Sequence, residues 1–339
     1  MQSCTDEART ANTTHAHMHC QGLEQRLCMA VQRLGAASCS ELGNATWLSS
    51  LIRSVGLAFD VRGCRLYGRN CDAMLPSSPQ NKLHQGLYQD PDQLADALVY
   101  LRTLGAESYL ELGVHTAWTA TFVAAFLARH AGPRWRGGYA VDVRLDRVTS
   151  TVHALLAQLR VSVRERDGPA LASLVEERRG APLGLCLIDG DHSYRGVLRD
   201  YQALGGSCRA CLFHDVVDFD LFATAPDRGV PAFWAHMTRN VQPARVAEFT
   251  RQPALYPPSL GFGLILPGDA GDATPDEPLV QPWYVGGALL TGPGPNGTMD
   301  TRGVFWDASN ATAGCIGCTI GRQVGRRWVL QDPGPTARP

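Results

Sequence analysis

Two stretches in the middle of the 339-residue chain carry carboxylates and histidines directly behind apolar runs. Leu187-Ile188 leads into Asp189-Gly190-Asp191-His192-Ser193-Tyr194, and Phe213 leads into His214-Asp215. A third run, Tyr109-Leu110, leads into Glu111-Leu112-Gly113. Two carboxylates at the ends of neighbouring strands repel each other unless a cation or a proton lies between them. Asp189 and Asp215 therefore form a candidate site for a hard divalent cation such as Mg²⁺, with His214 as a third ligand better suited to a transition metal. The plainer alternative is a metal-free loop in which Asp189 and Asp191 accept hydrogen bonds from backbone and ligand. His192 and His214 are candidate general bases, since an imidazole of near-neutral pKa can take a proton from an attacking hydroxyl.

These residues need a scaffold that brings strand ends to one edge, and residues 89–267 supply the pattern for it. Asp90-Pro91-Asp92 opens a helix running to Leu104, with Leu94, Ala97, Leu98 and Leu101 on one face. Strand and helix signals then alternate: strands at 108–112, 138–142, from 161, 183–188 and 210–213, and helices at 116–130, 148–159, 170–179, 194–204 and 230–237. Late strands at 245–250 and 261–266 can pair antiparallel. The expected fold is α/β: a doubly wound, mostly parallel, Rossmann-like sheet with an antiparallel late strand. In such sheets ligands bind beyond the carboxyl ends of the strands. Gly113 lets a ligand approach the backbone, and the helix after it favours an anion. Asp142, 29 residues beyond Gly113, ends the next strand, where a carboxylate can bind ribose hydroxyls.

The flanks differ from this core. Residues 1–88 hold six cysteines (4, 20, 28, 39, 64 and 71), helix signals at 22–34 and 47–55, and a Pro76-Ser77-Ser78-Pro79 loop. Residues 268–339 form a Pro/Gly-rich extension with Cys315 and Cys318 and strand signals at 282–285 and 303–306. Four of the seven asparagines, Asn12, Asn44, Asn296 and Asn310, stand in Asn-X-Ser/Thr sequons, all outside the core. Sequons and cysteines together predict a lumenal or secreted location, with a signal or anchor outside this sequence and a cytoplasmic location as the alternative. Six cysteines allow 15 pairings. Cys186, inside a strand, reads as a core thiol, and Cys208 and Cys211 as disulfide or buried thiols.

Composition excludes several classes. Net charge is −1, with 31 basic and 32 acidic residues, which gives no reason to expect nucleic acid. No apolar run reaches the length of a membrane span. The tract His15-Ala16-His17-Met18-His19-Cys20 reads as a solvated tail rather than a metal site.

Taken in order, the core motifs resemble those of the class I S-adenosylmethionine-dependent methyltransferases, in the small-molecule branch with an Ile-Asp-Gly-Asp-His-Ser-Tyr signature. Glu111-Leu-Gly113-Val-His115-Thr-Ala117 is similar to the family's E-x-G-x-x-x-G motif, with Ala117 where the second glycine usually stands. Asp142, Ile188–Tyr194, His214-Asp215, Gly229–Trp234 and Gly261–Ile265 match later motifs, so the resemblance spans about residues 85–267. It implies S-adenosyl-L-methionine as cofactor, bound by Glu111, Gly113, His115, Asp142 and Asp189, with Asp167 receiving the adenine amino group. It further implies methyl transfer to a hydroxyl of a small molecule or sugar, assisted by His192, His214 and Asp189, with Mg²⁺ as an option. N-methylation and a hydroxylase-associated role stay open, as do a NAD-type oxidoreductase on a similar sheet and a non-catalytic glycoprotein retaining the fold.

Overall fold

The alternation of residues along the inner strands decides how the sheet is buried. Leu185 and Leu187 belong to one apolar cluster while Cys186 and Ile188 belong to another, and Leu212 and Phe213 divide in the same way. Strands apolar on both faces require cover on both faces, which βαβ crossovers provide. The computed structural model describes residues 24–56, 86–165, 174, 182–217, 229–240, 245–250 and 260–267, and the backbone of short strands at 283–285, 288–290, 321–324 and 327–330.

Seven strands form one sheet in the order β3-β2-β1-β4-β5-β7-β6. They are β1 (Tyr109–Leu112), β2 (Gly138–Asp142), β3 (Val161–Glu165), β4 (Leu185–Ile188), β5 (Cys211–His214), β6 (Val246–Phe249) and β7 (Phe262–Ile265). The first five run parallel, and β7 pairs antiparallel with both β5 and β6. The doubly wound sheet with an antiparallel late strand is therefore the fold of this chain. The two-stranded ladders β8 (Trp283–Val285) with β9 (Ala288–Leu290) and β10 (Gly321–Val324) with β11 (Arg327–Leu330) lie apart from it in the pairing. The strand expected at 303–306 and most of the helix expected at 170–179 lie outside the described residues; within the latter only Leu174 is described, and it is buried.

Helices α1 (Gln25–Ala36), α2 (Cys39–Leu42), α3 (Ala45–Val55), α4 (Pro91–Leu101), α5 (Trp118–Ala131) and α6 (Ser150–Gln158) precede α7 (Tyr194–Leu204) and α8 (Gly229–Asn240). Their starts follow from local chemistry. Asp90 caps α4 by accepting from the Asp92 and Gln93 N–H groups ahead of Pro91, and Ser193 caps α7 by accepting from Gly196. Asn44, in one of the sequons, caps α3 through its Oδ1 atom, so Nδ2, the atom that carries a glycan, takes no part in the cap. Helix α1 packs on α5 and α3 packs on α4, and buried residues of α1 and α3 share one apolar cluster with β1 and α5.

The cysteine expectation for β4 needs correction. Cys186 is not a thiol: it is disulfide-bonded to Cys208, with Cα atoms 6.0 Å apart. Cys211, which stands opposite Cys186 in the β4–β5 register, is the free, buried thiol. All three cysteines belong to the same apolar cluster, which brings Cys208 within reach of Cys186 once the crossover returns. Cys28 and Cys39 are disulfide-bonded as well.

Candidate active site

The registers of β2, β1, β4 and β5 bring their carboxyl ends level: Leu112 stands opposite Val141 and Ile188, and Ile188 opposite Phe213. Asp142, Gly113, Asp189 and His214-Asp215 therefore emerge along a single edge. The ladder continues into the loops, since Gly113 N–H donates to Val141 O (2.8 Å) and Asp189 N–H donates to Leu112 O (2.8 Å).

Gly113 has φ +87°, and a Cβ on it would lie 2.0 Å from the carbonyl oxygen of Asp189. The glycine is thus required by the close crossing of the β1 and β4 loops, a reason that differs from ligand approach. Beyond it, His115 and Ala117 hold φ of 50° and 59°, and Asp215 holds 60°. Such left-handed conformations are costly for residues with a Cβ and tend to gather at functional sites. Ala117 also explains the unusual start of α5: it is the N-cap residue, and no side chain caps this helix.

Asp142 closes the β1 loop, with Oδ2 accepting from His115 N–H (2.8 Å) and Oδ1 from Arg144 N–H (3.0 Å). The His115 ring stands edge-on to Tyr88 with centroids 5.0 Å apart, and its Nε2 meets Arg147. Asp167 lies outside the described residues.

At the ends of β4 and β5 two carboxylates and two imidazoles interlock. Asp189 Oδ1 lies 3.3 Å from His192 Nε2 and 3.3 Å from His214 Nδ1. The same His214 Nδ1 is 3.2 Å from Asp215 Oδ1, and His192 Nδ1 is 3.7 Å from Asp215 Oδ2. His214 and Asp215 are buried, whereas the His192 side chain is 42% exposed and stands at the mouth. Burial alone would lower both imidazole pKa values, but Asp189 and Asp215 outweigh it and push each up to about 9. Burial would raise Asp189, yet His214 and His192 hold it well below the usual carboxylate range. At neutral pH both histidines thus carry a proton. A protonated imidazole has no lone pair to accept another, so neither acts as a base until that proton leaves.

The ligand atoms of Asp189, His192 and Asp215 all lie within 4.8 Å of one another, close enough to share one ion. The expected set had His214 in place of His192. Asp191 stays apart: it accepts from Ser193 N–H (3.0 Å) and lies 3.5 Å from Arg199. Tyr194 packs rather than lines the site, with its hydroxyl against His236 Nδ1 and its ring near Phe233.

Glu111 departs most from expectation. It is 1% exposed on the face of β1 that also carries Tyr109, whose hydroxyl donates to its Oε2. Burial pushes its pKa up to about 8, which leaves it neutral at pH 7 and unsuited to pairing with a cofactor ammonium. The folded chain binds this proton more tightly than the unfolded chain. The resulting stability is full below the ordinary pKa of 4.5 and is lost as pH rises towards 8. Between pH 5 and 6.5, melting curves should show wild type losing about 2 kcal/mol relative to Glu111→Gln, at about 1.36 kcal/mol per pH unit.

Residues that the strand-end pattern misses complete the site. Gln89, 2% exposed, donates from Nε2 to Asp189 Oδ2 (3.2 Å), and Thr119 Oγ1 donates to Gln89 Oε1. Nothing local marks Gln89, which lies 100 residues from Asp189. The Tyr109-x-Glu111 spacing, by contrast, is legible as two groups on one face of a strand.

No family model matches the chain, and no curated protein matches it. Solved structures with a similar layout include the O-methyltransferase TomG from Streptomyces achromogenes, involved in tomaymycin synthesis and solved with S-adenosylmethionine. It shares 13% identity over 56% of this chain and 86% of its own, with a TM-score of 0.42. An O-methyltransferase from Bacillus cereus, solved with S-adenosylhomocysteine, shares 14% over 72% and 100%, with a TM-score of 0.39. The N-methyltransferase NodS from Bradyrhizobium japonicum, also with S-adenosylhomocysteine, shares 12% over 62% and 100%, with a TM-score of 0.34. Likeness this remote carries neither cofactor nor acceptor over to the present chain.

Proposed function

We propose that this chain binds S-adenosylmethionine beyond β1 and β2 and methylates a hydroxyl of a small polar molecule or sugar held beyond β4 and β5. The observation that carries the reading is the level edge of four adjacent strands, which presents Gly113, Asp142, Asp189 and His214-Asp215 in the order their motifs predict.

The residues present fit both groups that the reading requires. Helix α5 begins without a capping side chain, so the N–H groups of its first turn suit a carboxylate such as that of the methionine moiety. Asp142 keeps further lone pairs beside its two backbone bonds and can accept from ribose hydroxyls. The cofactor, when bound, supplies an electrophilic methyl group on a sulfonium. A divalent ion on Asp189, His192 and Asp215 would supply Lewis acidity, lowering the pKa of an acceptor hydroxyl. One imidazole beside two carboxylates favours a first-row transition ion over Mg²⁺.

The chain's own groups then divide the work. Asp189 and Asp215 hold negative charge where the acceptor must lose a proton. His214, buried between them, relieves the repulsion of their oxygens with its Nδ1 proton. His192 reaches solvent and, once it has released its own proton there, can take the proton of the acceptor.

Calorimetric titration of the folded, disulfide-bonded chain with S-adenosylmethionine tests the reading. Wild type should bind, and Asp142→Ala should bind at least about ten-fold more weakly, the cost of losing a charged acceptor for hydroxyls. A folded wild-type chain that takes up no cofactor would overturn it. Repeating the titration with Mn²⁺ and with Mg²⁺ tests the ion, whose absence would show as identical heats.

A further inference from the structure

Segment 86–90 enters the site from outside the strand–loop pattern. Leu87 N–H donates to the carbonyl of Gly56, the residue that ends α3, and Asp90 caps α4. Held at both ends, the residues between lay Tyr88 against His115 and Gln89 against Asp189. Gln89 is buried, and so is Thr119 in the first turn of α5.

The direction of the Gln89 amide follows from donor and acceptor chemistry. An ionised carboxylate only accepts, so the amide NH₂ must face Asp189 and the amide oxygen must face Thr119. The Thr119 hydroxyl then donates to that oxygen, which makes the reversed amide unfavourable on both sides. Gln89 holds Oδ2 of Asp189, and Oδ1 is thereby turned to both imidazoles. Without the amide, the terminal torsion of Asp189 can turn its carboxylate plane and carry the shared oxygen away from the two imidazoles at little cost, because such torsions are broad.

We propose that Gln89 is a positioning residue that holds the plane of the Asp189 carboxylate so that one oxygen stays on both His192 and His214, and that Thr119 sets the direction of the Gln89 amide. In the context of catalysis this rests on the methyltransferase reading, because it orients the carboxylate beside which the acceptor must lose its proton. It also makes the helices of the N-terminal region part of the active site, through the Leu87–Gly56 bond.

The test reads the ring N–H protons of His192 and His214 by ¹⁵N-edited NMR of the full chain at pH 7. The signals are assigned by their loss in His192→Gln and His214→Gln. In wild type both protons should exchange slowly with water. In Gln89→Leu they should exchange at least about ten-fold faster, as expected for loss of a hydrogen bond to a charged group. Backbone amide protection in the sheet should stay unchanged. Thr119→Val should act in the same direction and Thr119→Ser should restore the wild-type rate. If Gln89→Leu fails to fold, the Thr119 pair carries the test alone. Unchanged ring-proton exchange in a folded Gln89→Leu, or in Thr119→Val where that pair carries the test, would overturn the proposal, as would equal loss in Thr119→Val and Thr119→Ser. Titration of the same samples with S-adenosylmethionine separates the two readings: a wild type that fails to bind removes the methyltransferase assignment, while the ring protons still judge the positioning role.

Discussion

Replacing Gly113 with alanine should unfold this protein about 10 °C earlier than wild type in differential scanning calorimetry. Two effects act together. The residue sits at φ +87°, which costs a residue with a Cβ about 1–2 kcal/mol. The new methyl group would also lie 2.0 Å from the Asp189 carbonyl oxygen and 2.5 Å from the Gly190 Cα, and overpacking adds about 1–3 kcal/mol. The sum, about 2–5 kcal/mol, corresponds to roughly 2–4 °C for each kcal/mol in a chain of this size. Relief can come only from moving the β4 loop, and that loop carries Asp189 and His192. Gly113→Ala should therefore lose the site even at temperatures where it stays folded. Gly206→Ala is the control: its Cβ would meet nothing within 4 Å, and its melting temperature should stay at the wild-type value.

On the proposed methyltransferase reading, Asp189→Asn should lower turnover far more than cofactor affinity. The carboxylate is the hub of the cluster, reached by His192, His214 and Gln89 together. An amide has nearly the same shape but cannot hold the charge that steadies two imidazolium rings or a cation. Release of S-adenosylhomocysteine, measured with the acceptor that wild type methylates best in a panel of polyols and sugars, should fall by at least about 100-fold. Affinity for S-adenosylmethionine should fall less than turnover, since its expected contacts other than Asp189 lie over β1 and β2. Asp191→Asn two residues on should leave turnover near wild type, because Asp191 is 46% exposed and points to Arg199. Equal losses in both variants would count against a cluster centred on Asp189.

The strand ends were legible because each is a local event. A short apolar run of two to four residues that stops at an acid or a histidine marks both a strand and its carboxyl end, as in β1, β2, β4 and β5. Boundaries moved where the ladder stopped short of the apolar run. Leu183 is apolar and buried, yet it makes only an isolated bridge with Cys208, so β4 begins at Leu185. What local pattern could not supply was the protonation and partner of each group. Glu111 looked like a strand-end acid facing a ligand, but strand alternation turns it to the α4–α5 face beside Tyr109. Which histidine stands within reach of one ion together with the two aspartates depends on the β4 loop turning His192 back over the strand end. Gln89 and the Cys186–Cys208 bond were hidden for a common reason: each joins residues that become neighbours only after a crossover has closed.

That bond has a consequence for the chain before it folds. Cys186 and Cys208 are 22 residues apart and bracket α7, the crossover between two parallel strands. Parallel pairing is slow because the ends of a long loop must meet before any contact rewards them. Here the meeting is made permanent: the oxidised chain carries the loop already closed, which removes about 3 kcal/mol of freedom from its denatured ensemble. The strands bearing Asp189 and His214 thus begin each folding attempt as neighbours. A chain produced in a reducing cytosol would start without that advantage, so recombinant material should be made where disulfides form.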